Sequence, residues 1–412
     1  MSLIKRISQE FEVGGLKGMS IKILKRITLP ISQVFYWAFN CLPIDKNIIV
    51  FRTEIDFWDN GWAFYQFLIN TPKANKFKYI WLVDTPSEFS NSERTKFVSY
   101  GPVGIHILAY YYIAKARYIF FTHGMGLVPL KKRKDQVVIN LCHGCGIKSG
   151  KGVAKRIRAN FDFAIVTSHF FVESQAIFLH CDKQLILPLG FPRNDLLLHN
   201  IDLGQNNPFI KEIQFRKVIL WMPTFRAAKL LKLSELSSDN ATGLPLLDDD
   251  IKVQKFNDFL KDRQTVVLLK IHYLQADKDI FNRKFTNIIF LKDGDFVSKG
   301  LQLYQVIGKT DALLTDYSSI TTDYLLTDKP MGFILDDIDN YIKDRGFVFD
   351  NVTSIMPGEH IYTIDQLYGF VNDVVNDIDP HKKWRADIKA KMFDNADDKS
   401  SERIANYFGM LK

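Results

Sequence analysis

Short apolar runs alternate with longer mixed segments along the whole chain. The runs are rich in Val, Ile, Leu and Phe, and turn-forming or polar residues bound them. Continuous apolar runs separated by helical stretches are typical of parallel sheets that helices cover on both faces. The predicted strands are 47–51, 78–83, 118–122, 137–142, 163–167 and 184–187 in the first half, and 218–222, 266–271, 288–291, 312–315 and 331–334 in the second.

Two such sets in sequence predict an α/β protein with two Rossmann-like, doubly wound domains that face a central cleft. A polar stretch near 200–208 marks the expected boundary between them. We therefore predict an N-terminal segment over 1–43, a first domain over 44–205 and a second domain over 206–412. A cleft between two such domains is the expected place for a ligand.

Composition narrows the class of protein. The 412 residues include 54 Lys plus Arg against 46 Asp plus Glu, for a net charge of +8, and 47% of them are hydrophobic. These values exclude a disordered chain, a collagen-like fibre and a multi-span membrane protein. The four cysteines are too few and too irregularly spaced for a disulfide framework, and the single C-x-x-C has no second pair to complete a zinc site. A reduced, cytosolic protein is the better interpretation.

The positive charge is concentrated at two places. Residues 1–30 are basic, and the apolar stretch 27–42 that follows is shorter than the roughly 20 residues of a membrane-spanning helix. This pattern suits an interfacial segment on an anionic membrane, or equally a terminal helix packed on the protein's own core. The second cluster, over 131–158, suits an anionic ligand or a membrane surface. Nucleic acid is not expected as a partner, because no nucleic-acid-binding module is recognisable.

A histidine loop directly follows the predicted strand 137–142. His143 and Gly144 stand there in the sequence Cys-His-Gly-Cys-Gly. Ligands of open α/β sheets bind beyond the carboxyl ends of the strands, and glycines let a substrate approach the backbone closely. A neutral imidazole at this place can accept a proton from an attacking hydroxyl, although a histidine in a tight turn is the alternative.

Three loops of the second half carry side chains suited to phosphate oxygens. Two follow the predicted strands 218–222 and 266–271, and the third precedes a helix expected to begin near Ser319. Hydroxyl, guanidinium and ammonium groups bind phosphate, whereas ordinary helix capping is the alternative at the third loop. Phosphoryl transfer, which depends on positioning and charge neutralisation, is the reaction class that this set favours. The candidates are Thr224, Arg226, Lys270, His272, Thr315, Asp316, Ser318 and Ser319.

The chain resembles the CDP-glycerol glycerophosphotransferase family, the membrane-associated primases and polymerases of teichoic acids and related capsule polymers. The resemblance extends from about residue 47 to 390, and its strongest motif is TDALLTDYSSITTDY over 310–324. The other matching motifs are HG at 143–144, GFPRND at 190–195, PTFR at 223–226, KIH at 270–272, DKP at 328–330 and DRGF at 344–347.

The resemblance implies a GT-B-like enzyme that moves a polyol phosphate from a CDP-activated donor to an acceptor hydroxyl and releases CMP. By the same resemblance His143 is the general base, His272 lies at the donor pyrophosphate, and the block 315–319 binds the donor phosphates. Gly144 and Arg193 fall on the acceptor side. A lipid-linked acceptor and a peripheral place on the cytoplasmic face of the membrane are implied as well.

Two other functions fit parts of the pattern. A GT-B glycosyltransferase that uses a nucleotide sugar shares the cleft and the phosphate site, and a non-catalytic binder of anionic polymer needs the basic surfaces alone. We expect no cofactor and no essential metal, because the acidic runs 248–250 and 293–295 are typical of turns.

Overall fold

Two parallel β-sheets form the framework of the protein in the computed structural model. The structure describes residues 24, 28, 30–101, 104–123, 132–145, 147–149, 160–199, 208–210, 215–224, 242–270, 279–344 and 346–412. Each sheet is built from its own half of the chain. The predicted α/β class, with two Rossmann-like halves in a GT-B-like arrangement, is therefore confirmed.

The first sheet has the strand order β3-β2-β1-β4-β5-β6-β7, and all of its pairs are parallel. The order reverses beside β1, which lies between β2 and β4, and such a reversal opens a crevice at the carboxyl ends of the strands. Its strands are β1 (Asp45–Arg52), β2 (Lys78–Val83), β3 (Thr95–Ser99), β4 (Ala116–Phe121), β5 (Val137–Asn140), β6 (Phe163–Ile165) and β7 (Ile186–Leu187).

The second sheet has the order β10-β9-β8-β11-β12-β13 and is also parallel throughout. All six residues of β9 are buried, as expected for a strand with helices on both faces. Its strands are β8 (Lys217–Met222), β9 (Thr265–Lys270), β10 (Ile288–Leu291), β11 (Ala312–Thr315), β12 (Met331–Ile334) and β13 (Glu359–Ile361).

Helices connect the strands and cover the sheets. In the first half they are α1 (Asp59–Ile69), α2 (Ile107–Lys115), α3 (Val172–Leu179) and α4 (Pro192–Leu198). In the second half they are α5 (Asp250–Asp262), α6 (Asp293–Val297), α7 (Leu303–Ile307), α8 (Ile320–Tyr324), α9 (Ile338–Asp344), α10 (Ile364–Val375), α11 (Lys382–Met392) and α12 (Ser400–Tyr407).

The C-terminal helix α12 packs against the first half of the chain. The Asp195 carboxylate at α4 accepts the backbone N–H groups of Ser400 (2.9 Å) and Ser401 (2.8 Å), where α12 begins. The Tyr118 hydroxyl on β4 donates to the carbonyl of Phe408 at 2.9 Å. A carboxylate at a helix N-terminus stabilises the helix, so these contacts fasten the end of the chain to the first sheet.

An N-terminal helical segment over 30–39 packs on α2. The rings of Phe39 and Tyr111 meet edge to face at 5.5 Å between centroids, while Tyr36 is buried against Tyr110. Among the described residues, no helix has both the length and the apolar character needed to cross a membrane.

Candidate active site

Two histidines stack at the carboxyl ends of neighbouring strands. Strands β4 and β5 are parallel, with Phe121 opposite Asn140, so the residues after each strand continue side by side. His123 follows β4 and His143 follows β5, and their rings lie nearly parallel with 3.9 Å between centroids. The structure therefore places a second imidazole directly on the predicted one.

Sequence reasoning did not single out His123. The signal was nevertheless present, because Thr-His-Gly follows β4 just as Cys-His-Gly follows β5. A histidine and a glycine at the ends of two strands that are adjacent in the sheet point to one shared site, but only once the strand order is known.

Both imidazoles have hydrogen-bond partners that fix their orientation. The Nδ1 of His143 lies 3.4 Å from the carbonyl oxygen of Thr122, and the Nδ1 of His123 lies 3.1 Å from the Thr122 hydroxyl. On the other side of its ring, the Nε2 of His123 lies 3.0 Å from a carboxylate oxygen of Glu54. With a proton on Nδ1, His143 keeps its Nε2 lone pair available to accept a proton.

The surroundings keep both rings neutral. Burial in the protein, followed by the adjacent His143 ring, lowers the pKa of His123 to about 3. Burial lowers the pKa of His143 as well, and the nearby Arg193 charge acts in the same direction, whereas Asp59 opposes them. His143 is nevertheless accessible to solvent. A neutral, accessible imidazole is the form that can act as a base at neutral pH.

The histidine loop meets the hydroxyl-rich loop of the second half directly. Gly144 has a φ of +142°, and a Cβ at this position would lie 3.0 Å from the Ser319 Oγ and 3.3 Å from Nη2 of Arg193. Only a residue without a side chain fits there. The loops after β5 and β11 therefore lie in contact, although they are far apart in the sequence.

Arg193 lies in a buried charge cluster between the two halves. Its Nη1 donates to Asp59 at 2.9 Å and its Nη2 to Asp323 at 2.6 Å, while its guanidinium carbon lies 4.5 Å from the centre of the Tyr304 ring. Burial opposes its charge, but Asp323 and Asp59 outweigh this effect and raise the pKa of Arg193 above its usual range. The guanidinium of Arg193 is thus occupied by carboxylates of both halves, and it links the halves behind Gly144.

The Asp316 carboxylate holds the loop after β8. It accepts the backbone N–H of Thr224 at 2.9 Å and the Thr224 hydroxyl at 2.5 Å, and Asp316 is completely buried. The Thr315 hydroxyl donates to the carbonyl of Met222 at 2.9 Å, which ties β11 to β8. These three predicted residues therefore shape the loops of the site through contacts with one another.

Ser318 and Ser319 are half-buried beside Asp316. Ser319 is the N-cap residue of α8, yet its side chain makes no capping hydrogen bond. Lys148, from the first half, brings its Nζ within 3.5 Å of the Thr224 hydroxyl. Lys148 of the first half thus meets Thr224 of the second half at the loop that Asp316 holds.

Lys270 is buried at the end of β9, where its Nζ pairs with Asp293 at 2.9 Å. Asp295 accepts the backbone N–H of Lys292 at 2.7 Å at the start of α6. Both carboxylates of the run 293–295 therefore have structural partners. No group of three or more metal-ligating side chains occurs within the part of the chain that the structure describes. The predicted site residues Arg226 and His272 lie outside the described residues.

The four cysteines are free thiols, as expected for a chain without a disulfide framework. Burial raises the pKa of Cys145 to about 12, and it also raises the pKa of Cys142. The C-x-x-C is therefore part of the packing beneath the histidine loop.

Comparison with known protein families identifies the family of the chain. A family model described as CDP-Glycerol:Poly(glycerophosphate) glycerophosphotransferase matches residues 34–408. The chain belongs to this family. The family resemblance of the sequence motifs is thereby confirmed, and the protein is an enzyme of the glycerophosphotransferase type.

Similar curated proteins act in teichoic acid synthesis. The chain is 28% identical to the teichoic acid ribitol-phosphate primase of Bacillus spizizenii over 72% of this chain and 76% of the primase. It is 25% identical to the teichoic acid poly(ribitol-phosphate) polymerase of the same organism, over 93% of this chain and 60% of the polymerase.

Solved structures share the fold. The wall teichoic acid polymerase TagF superposes with a TM-score of 0.70 at 20% identity, covering 99% of this chain and 98% of that one. The UDP-GlcNAc 2-epimerase of Methanocaldococcus jannaschii superposes with a TM-score of 0.51 at 11% identity, covering 88% of this chain and 99% of that one. Both support the GT-B-like arrangement.

Proposed function

We propose that the enzyme transfers a polyol phosphate, glycerol phosphate or a related one, from a CDP-polyol to a hydroxyl of a lipid-linked acceptor. The acceptor is a teichoic acid or capsule polymer, and CMP is released. The observation that supports this most is the contact between the His143–Gly144 loop of the first half and Ser319 of the second half. The proposed base, His143 of the first half, is thereby next to the proposed phosphate-binding loop of the second half.

The proposed reaction is an in-line displacement at phosphorus. The acceptor hydroxyl oxygen forms a bond to the phosphorus that carries the polyol, and the bond from that phosphorus to the bridging oxygen breaks. CMP leaves with the bridging oxygen, and Nε2 of His143 takes the proton of the hydroxyl. Because the pKa of His143 is lowered, the ring is unprotonated before attack.

The second half is proposed to bind the donor. Ser318 and Ser319 offer hydroxyl donors to the phosphate oxygens, while Asp316, Thr224 and Thr315 hold the two loops in register. Arg226, Lys270 and His272 are assigned to the pyrophosphate through the family resemblance. Developing negative charge on the phosphates is stabilised by such fixed donors and cations.

The first half is proposed to bind the acceptor. The acceptor hydroxyl is proposed to approach His143, whose loop lies against Ser319 at Gly144 and is supported by Arg193 from behind. The proposed role of Arg193 is therefore structural support on the acceptor side, since Asp59 and Asp323 already occupy its guanidinium.

The N-terminal segment is proposed to dock the enzyme peripherally on the cytoplasmic face of the membrane. Along 30–39, Ile31, Val34 and Trp37 are 41%, 65% and 79% exposed, while Ser32 and Tyr36 are buried on the opposite face. An exposed apolar face with a tryptophan, preceded by the basic residues of 1–26, suits an anionic lipid surface. A lipid-linked acceptor would be reached from that position.

The test is a donor screen with product analysis. The purified protein is incubated with a lipid-linked acceptor and with CDP-glycerol, CDP-ribitol, UDP-sugars or GDP-sugars, and the products are identified by mass spectrometry. We expect CMP and a product heavier by one polyol phosphate, with CDP-polyols only. Glycosylated product from a nucleotide sugar would contradict the proposal and favour the glycosyltransferase alternative.

A further inference from the structure

The loop that carries His143 has an unfavourable backbone conformation. Cys142, directly before the histidine, has a φ of +56°, in the left-handed region that a residue with a Cβ avoids. Such a conformation persists only where the surroundings hold it, and it commonly accompanies function. The contacts that hold this loop therefore determine where the imidazole points.

Asn60 supplies those contacts from the start of α1. Its side-chain amide group donates to the carbonyl oxygens of Cys142 (2.9 Å) and Leu141 (3.2 Å), and Asn60 has no exposed surface. From the other side, the Asn140 side-chain oxygen accepts the N–H of Cys142 at 2.9 Å. Hydrogen bonds from Asn60 and Asn140 thus fix the peptide units before and after Cys142.

The same residue connects the loop to the interface between the two halves. The Asn60 side-chain oxygen accepts the backbone N–H of Arg193 at 3.0 Å. Arg193 and the neighbouring Asp59 form an ion pair, and Arg193 reaches Asp323 of the second half. One buried amide therefore joins the histidine loop to the charge cluster behind Gly144.

We infer that Asn60 is a positioning residue, which holds His143 in register with the donor phosphates through the carbonyls of Leu141 and Cys142. It touches no reacting atom, and its effect reaches the reaction through the geometry of the loop. A side chain that keeps its shape but loses its donors should therefore impair turnover far more than donor binding. The part of the inference that concerns turnover rests on the proposed function.

The test uses Asn60→Asp, which keeps the shape but turns acceptor oxygens toward two carbonyls, and Asn60→Ala, which removes the donors without adding a charge. Asn70→Asp, at the exposed C-terminal end of the same helix, is the matched control. Misplacement of a reacting group by about 1 Å costs on the order of 100-fold in rate. We expect kcat to fall by about 100-fold in both Asn60 variants, with the dissociation constant for the CDP-polyol changed less than about threefold.

A second readout needs no substrate. Cys142 is a buried free thiol within the loop, so its rate of reaction with a thiol reagent reports the position of the loop. The labelled peptide is quantified by mass spectrometry. Labelling of Cys142 should be at least about tenfold faster in the Asn60 variants than in wild type and in Asn70→Asp. If the wild type turns over no CDP-polyol, the proposed function fails, while this readout still tests the anchoring.

Three results would overturn the inference. The first is a folded Asn60→Asp or Asn60→Ala protein with nearly wild-type kcat and unchanged Cys142 labelling. The second is a loss of donor affinity that parallels the loss of kcat. The third is failure of both variants to fold, because Asn60 would then be required for the fold itself rather than for the position of His143.

Discussion

At the candidate site, neighbouring residues determine how each side chain is placed. The position of His143 at the end of β5 was predictable because a histidine and a glycine follow a buried apolar run in the sequence. His123 and Asn60 were not, because their importance depends on the order of β4 and β5 and on the packing of α1, which the sequence does not display. Arg193, expected on the acceptor side, is buried between two carboxylates, and this burial was not predictable because Asp59 and Asp323 approach it only in the folded chain.

The lowered pKa of His123 predicts a dependence of stability on pH. The pKa of a histidine in an unfolded chain is about 6.5, whereas the pKa of His123 in the folded protein is about 3. Between these values the unfolded chain binds a proton that the folded protein does not, so stability is lost as the pH falls below the unfolded value. We expect wild type to lose about 1–2 kcal/mol more than His123→Asn between pH 7 and pH 5.

Urea unfolding at the two pH values measures this difference. His180→Asn, which removes an exposed histidine at the end of α3, is the control for the loss of a histidine. Equal losses for wild type and His123→Asn would show that burial of the His123 ring does not disfavour its protonation.

At the scale of elements, the strands with strong apolar runs were predicted and the weak ones were missed. The predicted 78–83, 288–291, 312–315 and 331–334 coincide with β2, β10, β11 and β12. The strands β3 and β13 were not predicted, because Thr-Lys-Phe-Val-Ser and Glu-His-Ile carry few apolar residues. Both lie at the edge of a sheet, where a strand has a neighbour on one side only and fewer of its side chains need to be apolar.

The exposed face of 30–39 predicts a membrane contact. Burying one large apolar side chain contributes about 1.5–3 kcal/mol, so Trp37→Ser should weaken binding to vesicles of phosphatidylglycerol and phosphatidylcholine by about tenfold or more. Tyr407→Ser, which removes another exposed aromatic residue on α12, is the matched control. Co-sedimentation measures both. Unchanged binding of Trp37→Ser, or an equal loss in the control, would contradict the docking proposal.

At the scale of the whole molecule, the two halves share one interior. A continuous buried apolar cluster includes Ile139 of the first sheet and Leu313 of the second. The charge cluster of Arg193, Asp59 and Asp323 lies at the same interface. The two-sheet architecture was predictable from the alternation of apolar and mixed segments. The limits 44–205 and 206–412 stay a prediction, and α12 packs on the first half.

The charge cluster predicts a large effect of a single substitution. Asp323→Ala leaves the buried guanidinium of Arg193 and the Tyr304 hydroxyl without their shared acceptor. Removing one partner of a buried pair costs about 3–5 kcal/mol. Urea unfolding should therefore show a much lower midpoint for Asp323→Ala. Asp248→Ala, which breaks an exposed ion pair with Lys252, should leave the midpoint nearly unchanged. Similar midpoints for the two variants would contradict a stabilising role for the cluster.

CMP release from a CDP-polyol and a lipid-linked acceptor, compared between wild type and His143→Ala, tests directly whether His143 is the general base. We expect the variant to fold, to bind the donor with wild-type affinity and to release CMP about 100-fold more slowly or worse, because a positioned general base contributes about 10²–10⁴-fold. Turnover of His143→Ala at the wild-type rate would contradict the assignment of this cleft as the place where the polyol phosphate is transferred.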